Sequence, residues 1–291
     1  MTDMKSRYLV YLLIITTFAL FSCNDNEKKS EMNIIFLHHS TGGVIWQGEK
    51  PSLVTRVVRK ISPGLAETLG QAKLPILFKE YNQEHNRNYK ITQKIFPKAS
   101  PYGWHNYPFD YYNIWVKNSG NQHYMEEPTL EILTKDYQVI IFKHCFPVGR
   151  IQADNDTADI DSDLKSLSNY KLQYNALRDK LLSFPDTKFI VWTGAALAKG
   201  ATTEDEAIRA REFFTWVREE WDMPGDNIHL WDFYELETEG GLYLKDEYST
   251  SPTDSHPNSK FASRVAGMLF NRIIDVIETN GTDTDITGVK K

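Results

Sequence analysis

Two short segments near opposite ends of the chain carry residue types suited to acyl-transfer chemistry. Ser40 lies in Phe36-Leu-His-His-Ser-Thr-Gly-Gly43, directly after a short apolar run. Gly42 and Gly43 let the backbone turn tightly there and bring amide groups towards a bound group. A serine hydroxyl is a weak nucleophile until a base takes its proton, and a histidine base needs an acceptor that fixes its tautomer. The second segment, Thr253-Asp-Ser-His-Pro-Asn258, supplies both types. Ser40 as nucleophile, His256 as base and Asp254 as its orienting carboxylate form the candidate set. Serine and glycine after a strand also make an ordinary turn, and the motif alone leaves that reading open.

Other chemistry-bearing residues read more plainly. His38 and His39 are adjacent, so on an extended chain they point to opposite faces, and no His-x-His or Glu-x-x-His pattern accompanies them. No metal site and no cofactor are expected. Asp154, Asp156, Asp159, Asp161 and Asp163 lack the glycine and terminal glutamate of a calcium loop, and read as a solvated loop ending in a helix cap. Cys145 reads as a small apolar residue packed at a strand end, or as half of a Cys/His pair with His144.

The elements that must position these residues follow from hydrophobic periodicity. Asn33–His38, Tyr137–Phe142, Lys188–Thr193 and Asn227–Asp232 are short apolar runs of the kind buried on both faces of a parallel sheet, and Tyr89–Phe96 is a more alternating candidate. Helical spacing covers Asp161–Phe184, Glu204–Trp221 and Asn258–Thr279. Alternating strands and helices predict an α/β three-layer sandwich with a mostly parallel sheet of about five strands. Ligands in such folds sit at the carboxyl ends of the strands, which puts the loops beginning at His39, Phe96, Lys143, Gly194 and Phe233 in view. Pro97–Tyr124 is dense in aromatic residues without clear periodicity, and reads equally as core packing or as a sugar-binding platform.

In this layout the chain resembles the SGNH (GDSL-like) hydrolases. The resemblance rests on a serine directly after the first strand and on an Asp/His motif followed by proline just before the last helix. It implies an SGNH/flavodoxin-like sandwich and an esterase or acyl-hydrolase activity, with Ser40 as nucleophile and His256 as base. The usual Gly-Asp-Ser is His38-His39-Ser40 here, and the family aspartate three residues before the histidine is replaced by Thr253, with Asp254 one position closer. The family oxyanion donors are a glycine after the second strand and an asparagine after the third. Gly103 is the candidate glycine. No asparagine follows the third strand, so His144 is the candidate substitute, beside the amide of Ser40 and the Gly42 turn. The implied substrate is a small-molecule or glycan ester. The alternative is a lipoprotein that keeps the fold and binds glycans or partners without chemistry.

Composition and the first residues set the context. A net charge of −6 and a pI of about 5.8 give no reason to expect nucleic acid. Lys5 and Arg7 precede an apolar run from Tyr8 to Phe21, shorter than the roughly 20 residues a spanning helix needs. The run ends in Leu20-Phe21-Ser22-Cys23, which resembles a bacterial lipobox with Cys23 as the lipidated residue; an uncleaved N-terminal anchor is the alternative. The expected organisation is a signal peptide over 1–22, a lipidated tether over 23–31, one α/β domain over 32–280 and a polar tail over 281–291. The domain would be held at the cell envelope, at the outer membrane, by its lipid. Replacing Cys23 by serine should therefore abolish incorporation of radiolabelled palmitate; equal labelling of variant and wild type would contradict the lipobox reading.

Overall fold

A computed structural model describes residues 31–49, 72–155 and 157–291. The signal-peptide, Cys23 and most of the tether readings lie outside the described residues, as does Asp156.

The described chain runs β1 (Glu31–His38), α1 (Ser40–Gln47), α2 (Lys73–Glu84), β2 (Asn88–Ile95), α3 (Pro108–Tyr111, continued as a π-helical turn through Lys117), α4 (Leu130–Asp136), β3 (Val139–Lys143), α5 (Leu167–Leu182) and β4 (Lys188–Trp192). It continues with α6 (Glu204–Trp216), β5 (Ile228–Trp231), α7 (Phe233–Thr238), β6 (Ser249–Ser251), β7 (Asp254–Pro257) and α8 (Ser259–Thr279). Strands β1 to β5 form one parallel sheet in the order β2-β1-β3-β4-β5, and β6 and β7 form a separate antiparallel hairpin. The fold is an α/β three-layer sandwich.

The two layers follow from the two-residue period of the strands. Ile34, Phe36, Val139, Ile141, Ile190 and Trp192 point to the face covered by α1, α2 and α8. Ile35, Leu37, Ile140, Phe142, Phe189 and Val191 point to the face covered by α3 to α6. Because both faces are covered, β1, β3, β4 and β5 read as unbroken apolar runs. Edge strand β2 is only partly covered, with Lys90, Thr92, Gln93 and Ile95 exposed, as its weaker pattern anticipated.

The aromatic stretch after β2 resolves as core. Trp104, Tyr107, Tyr111 and Trp115 are buried, with Trp115 stacked on Phe96 and set edge-on to Phe142. Its indole donates to the Pro128 carbonyl at 3.1 Å. Tyr102, in the same stretch, stays exposed. Burying these rings, each a large apolar surface, outweighs the absence of a regular helical period.

Helix α6 starts on the capping box its sequence carries: Thr203 accepts from the Glu206 amide, and Glu206 accepts from the Thr203 amide. Helix α5 starts later than its periodicity suggests. Residues 159–166 are held in a loop by the Asn169 and Gln173 side chains. Asp154, from the acidic run, accepts from the Ser168 amide and hydroxyl in the first turn of α5. Among the described residues no helix is long and apolar enough to cross a membrane.

Residues 281–291, read from the sequence as a polar tail, fold back on the body. Buried Asp275 accepts from the Asp283 and Thr284 amides at 2.8 and 2.9 Å, and Arg272 donates to Asp275 and to the Gly281 carbonyl. Trp231 donates to the Thr287 carbonyl at 2.8 Å, and the Asp232 amide to that of Ile286 at 2.7 Å. Polar composition misleads here because the segment binds through backbone groups and a buried ion pair rather than through apolar side chains. At Gly288, with φ of 87°, an added Cβ would lie 2.0 Å from the Met268 carbonyl oxygen. Gly288→Ala should cost about 1–3 kcal/mol through strain and displacement of this segment. A urea-unfolding midpoint equal to that of the wild type would show that the segment contributes nothing.

Candidate functional site

The sheet order places the site. The chain leaves β1 towards β2 on one side and later returns to β3 on the other, so β1 and β3 diverge at their carboxyl ends and leave a crevice between their loops. Ser40 opens α1 immediately after β1, and Cys145 lies in the loop after β3. Their Oγ and Sγ atoms are 3.9 Å apart across this crevice. Ser40 is exposed and Cys145 partly so.

His256 and Asp254 reach the crevice from the β6–β7 hairpin. Both stand on β7, where residues two apart share a face. The one-residue shift of the aspartate from the family spacing is thus absorbed by extended backbone. Asp254 Oδ1 accepts from His256 Nδ1 at 2.7 Å and from the His256 amide at 3.0 Å. A carboxylate partner makes Nδ1 the protonated nitrogen and leaves Nε2 as an acceptor. The Ser40 hydroxyl lies 3.1 Å from Nε2 and donates to it. The order hydroxyl, imidazole, carboxylate is what proton transfer from a serine requires.

Several contacts hold this arrangement. Thr250, on the neighbouring strand, donates to the second oxygen of Asp254. The Phe146 ring packs edge-to-face against His256, with centroids 5.1 Å apart. Ser255 accepts from the Ala198 amide at 3.0 Å, which pins the hairpin to the loop after β4. Asn258 donates to the Glu247 and Ser249 carbonyls and caps α8 by accepting from the Phe261 amide at 3.0 Å. The Thr250 hydroxyl, followed by the His256 amide and ring, holds the Asp254 carboxyl down at about 2. Asp254 therefore remains an anion at neutral and mildly acidic pH.

An open cleft of about 440 Å³ adjoins Ser40 between α1, the β6–β7 hairpin and the start of α8, lined among others by Val44, Gln47, Glu49, Thr250 and His256. As the first residue of α1, Ser40 carries one of the amides that have no intrahelical acceptor, at the positive end of the helix.

The other proposed oxyanion donors are corrected by the structure. The Gly103 amide donates to the Ala99 carbonyl at 2.5 Å inside its own turn, so it is not free for a ligand. The Gly42 amide donates to the His39 carbonyl at 2.8 Å. Gly42 instead serves packing: a Cβ there would sit 2.4 Å from that of His38, so glycine lets α1 close onto the end of β1. His144 is buried among Tyr111, Phe142 and Tyr174, with both ring nitrogens lacking a protein partner. Burial drives its pKa well down, so it stays neutral. Alternation at the strand end explains the error, because Lys143 turns to one face, His144 to the other, and Cys145 to the crevice.

His38 and His39 also diverge. His38 is buried, donates from Nε2 to Gln93 at 2.8 Å, and is held down to about 4, chiefly by burial. His39 donates to the Pro97 carbonyl. Neither Thr250 nor Phe146 stands out in the sequence. A hydroxyl residue four positions before Asp254 was the available signal for Thr250; Phe146, one residue past Cys145, carried none.

No protein-family model matches the chain, and no curated protein sequence matches it. Among solved structures it is similar to a gut microbial diltiazem-metabolizing enzyme, with a TM-score of 0.44 and 11% identity over 82% of this chain and 46% of that one. It is also similar to a carbohydrate esterase whose active site displays divergent catalytic and non-catalytic binding functions. There the TM-score is 0.37, with 14% identity over 84% of this chain and 65% of the other. The chain thus spans less than two thirds of either structure, and at TM-scores below 0.5 neither likeness bears on its chemistry.

The electrostatics give a direct test. The Asp254 carboxyl should titrate near pH 2 by carbon-detected NMR, and replacing Thr250 by valine should move its midpoint up towards the ordinary carboxylate range. A midpoint in the variant identical to that of the wild type would mean that Thr250 does not hold the carboxylate.

Proposed function

We propose that the chain is a serine hydrolase of the SGNH-like kind that cleaves esters, with an acyl or acetyl group on a glycan as the substrate class. The observation that carries this reading is the hydrogen-bonded series from Ser40 through His256 to Asp254 at the switch point of the sheet. The ester class is inferred from the resemblance of the Ser40 and His256 motifs to that family.

In this mechanism the Ser40 oxygen attacks the ester carbonyl carbon as its proton passes to His256 Nε2. Asp254 stabilises the imidazolium and keeps the ring oriented. The tetrahedral oxyanion accepts a hydrogen bond from the Ser40 amide. Collapse breaks the ester C–O bond, and His256 returns the proton to the departing alcohol. Water, deprotonated by the same histidine, then attacks the acyl-serine, releases the acid and restores the hydroxyl. With fewer oxyanion donors than the family uses, the rate should be modest, since one such donor typically contributes about 10²–10³. The Cys23 motif adds the proposal that this domain works at the cell envelope on a lipid anchor.

One observation favours a binding function without turnover: the Gly103 amide is committed within its own turn, and His144 is buried in the core. The two readings separate on serine reactivity. A fluorophosphonate probe should label the wild type and Cys145→Ala, and fail on Ser40→Ala and His256→Ala. A folded wild-type protein that takes no label would favour binding alone.

A further inference from the structure

Beside the Ser40 cleft lies a second hollow of about 510 Å³, lined by Glu49, Lys73, Ser259, Lys260, Ser263 and Arg264. Glu49 and Ser259 line both hollows, so the two adjoin, leading from Ser40 towards the start of α8. Three cations face a single carboxylate in this extension, on a chain whose net charge is −6. Among the described residues none of the three cations is in an ion pair within 4 Å.

Two of the three are held in place by contacts. Lys73 donates to the Ser263 hydroxyl at 2.6 Å, and that hydroxyl donates to Glu49 at 3.3 Å, so Glu49 is turned to the wall and Lys73 is held across the groove. The Arg264 guanidinium lies over the Tyr248 and Phe261 rings, 4.9 and 5.1 Å from their centroids, which fixes its plane and leaves its edge donors free. Glu239 feels Arg264 at longer range, but is itself held by Tyr248 and Lys245. Lys260, in the first turn of α8, is exposed.

We infer that this groove selects esters whose alcohol or acyl portion carries an oxyanion (a carboxylate, sulfate or phosphate), seated among Lys73, Lys260 and Arg264 while the ester lies at Ser40. The inference rests on the ester-hydrolase reading of Ser40 and names the substrate class of that same site. Cations of this exposure contribute modestly one by one and jointly set a preference.

Binding to Ser40→Ala protein, measured by calorimetry, separates the groove from turnover. The probes are acetylated methyl glucoside, its glucuronate counterpart and its 6-sulfate. The two anionic esters should bind roughly tenfold more tightly than the neutral one, the strength of about two partly exposed charge contacts. The gap should shrink at high salt and nearly vanish in protein that also carries Lys260→Gln and Arg264→Gln, while the neutral ester binds as before. Preference for the sulfate over the glucuronate, or the reverse, would identify the anion. Equal affinities for neutral and charged esters, or a preference untouched by the two glutamines, would overturn the inference. Failure of the hydrolase reading would appear separately, as an unlabelled Ser40 in the wild type.

Discussion

A parallel sheet ends all of its strands on one edge, and where the strand order reverses the loops on either side must part. The candidate site depends on that constraint. Strand β1 is interior, with β2 on one side and β3 on the other, so whatever follows β1 and β3 faces a crevice rather than another loop packed against it. Ser40 and Cys145 occupy those two positions. The hairpin that carries Asp254 and His256 is not part of the main sheet. It reaches the same edge because α8 returns along the face that also holds α1, and Asn258 ties the hairpin to the start of that helix. A separation of 216 positions in sequence is closed to 3.1 Å by topology and two short connections.

The ground beneath the crevice is unusually polar for a core. Lys143, His144 and Glu237 are all buried, and each has at least one side-chain atom without a protein partner. Leaving such an atom unpaired costs about 1–3 kcal/mol. Burial pushes the Lys143 ammonium and the His144 imidazolium down in pKa and the Glu237 carboxyl up, which moves each group towards its neutral form. The Glu237 carboxylate is also tied to the Ala196 amide at 2.6 Å, at the carboxyl end of β4. These groups lie on or beside the elements that frame Ser40, where departures from ordinary packing are expected to gather.

Much of the architecture was legible because burial on both faces writes itself as unbroken apolar strands, and burial on one face as helical spacing. The strand cores at Ile34–Leu37, Val139–Phe142, Phe189–Trp192 and Ile228–Trp231 and the long helix before Thr279 fall where periodicity puts them. Ser40 and His256 were legible as motif residues, since each stands beside an element boundary. The oxyanion candidates were not, because the fate of an amide depends on its own turn: Gly103 and Gly42 are both committed locally. Helix α1 was hidden by Gly42-Gly43, which reads as a turn but serves close approach to His38. The β6–β7 hairpin was hidden by its polar residues, which pair through backbone and hydroxyl groups. The ordering of residues 281–291 escaped notice for the same reason.

The central claim is that Ser40 and His256 act as one unit, and its most direct test is additivity. Turnover of an activated acetyl ester should be measured for Ser40→Ala, His256→Ala and the double variant. If the hydroxyl is effective only through the imidazole, all three should fall to the same residual rate, because removing either member of such a unit already removes its whole contribution. Losses that multiply in the double variant, with each residue contributing independently, would contradict the account.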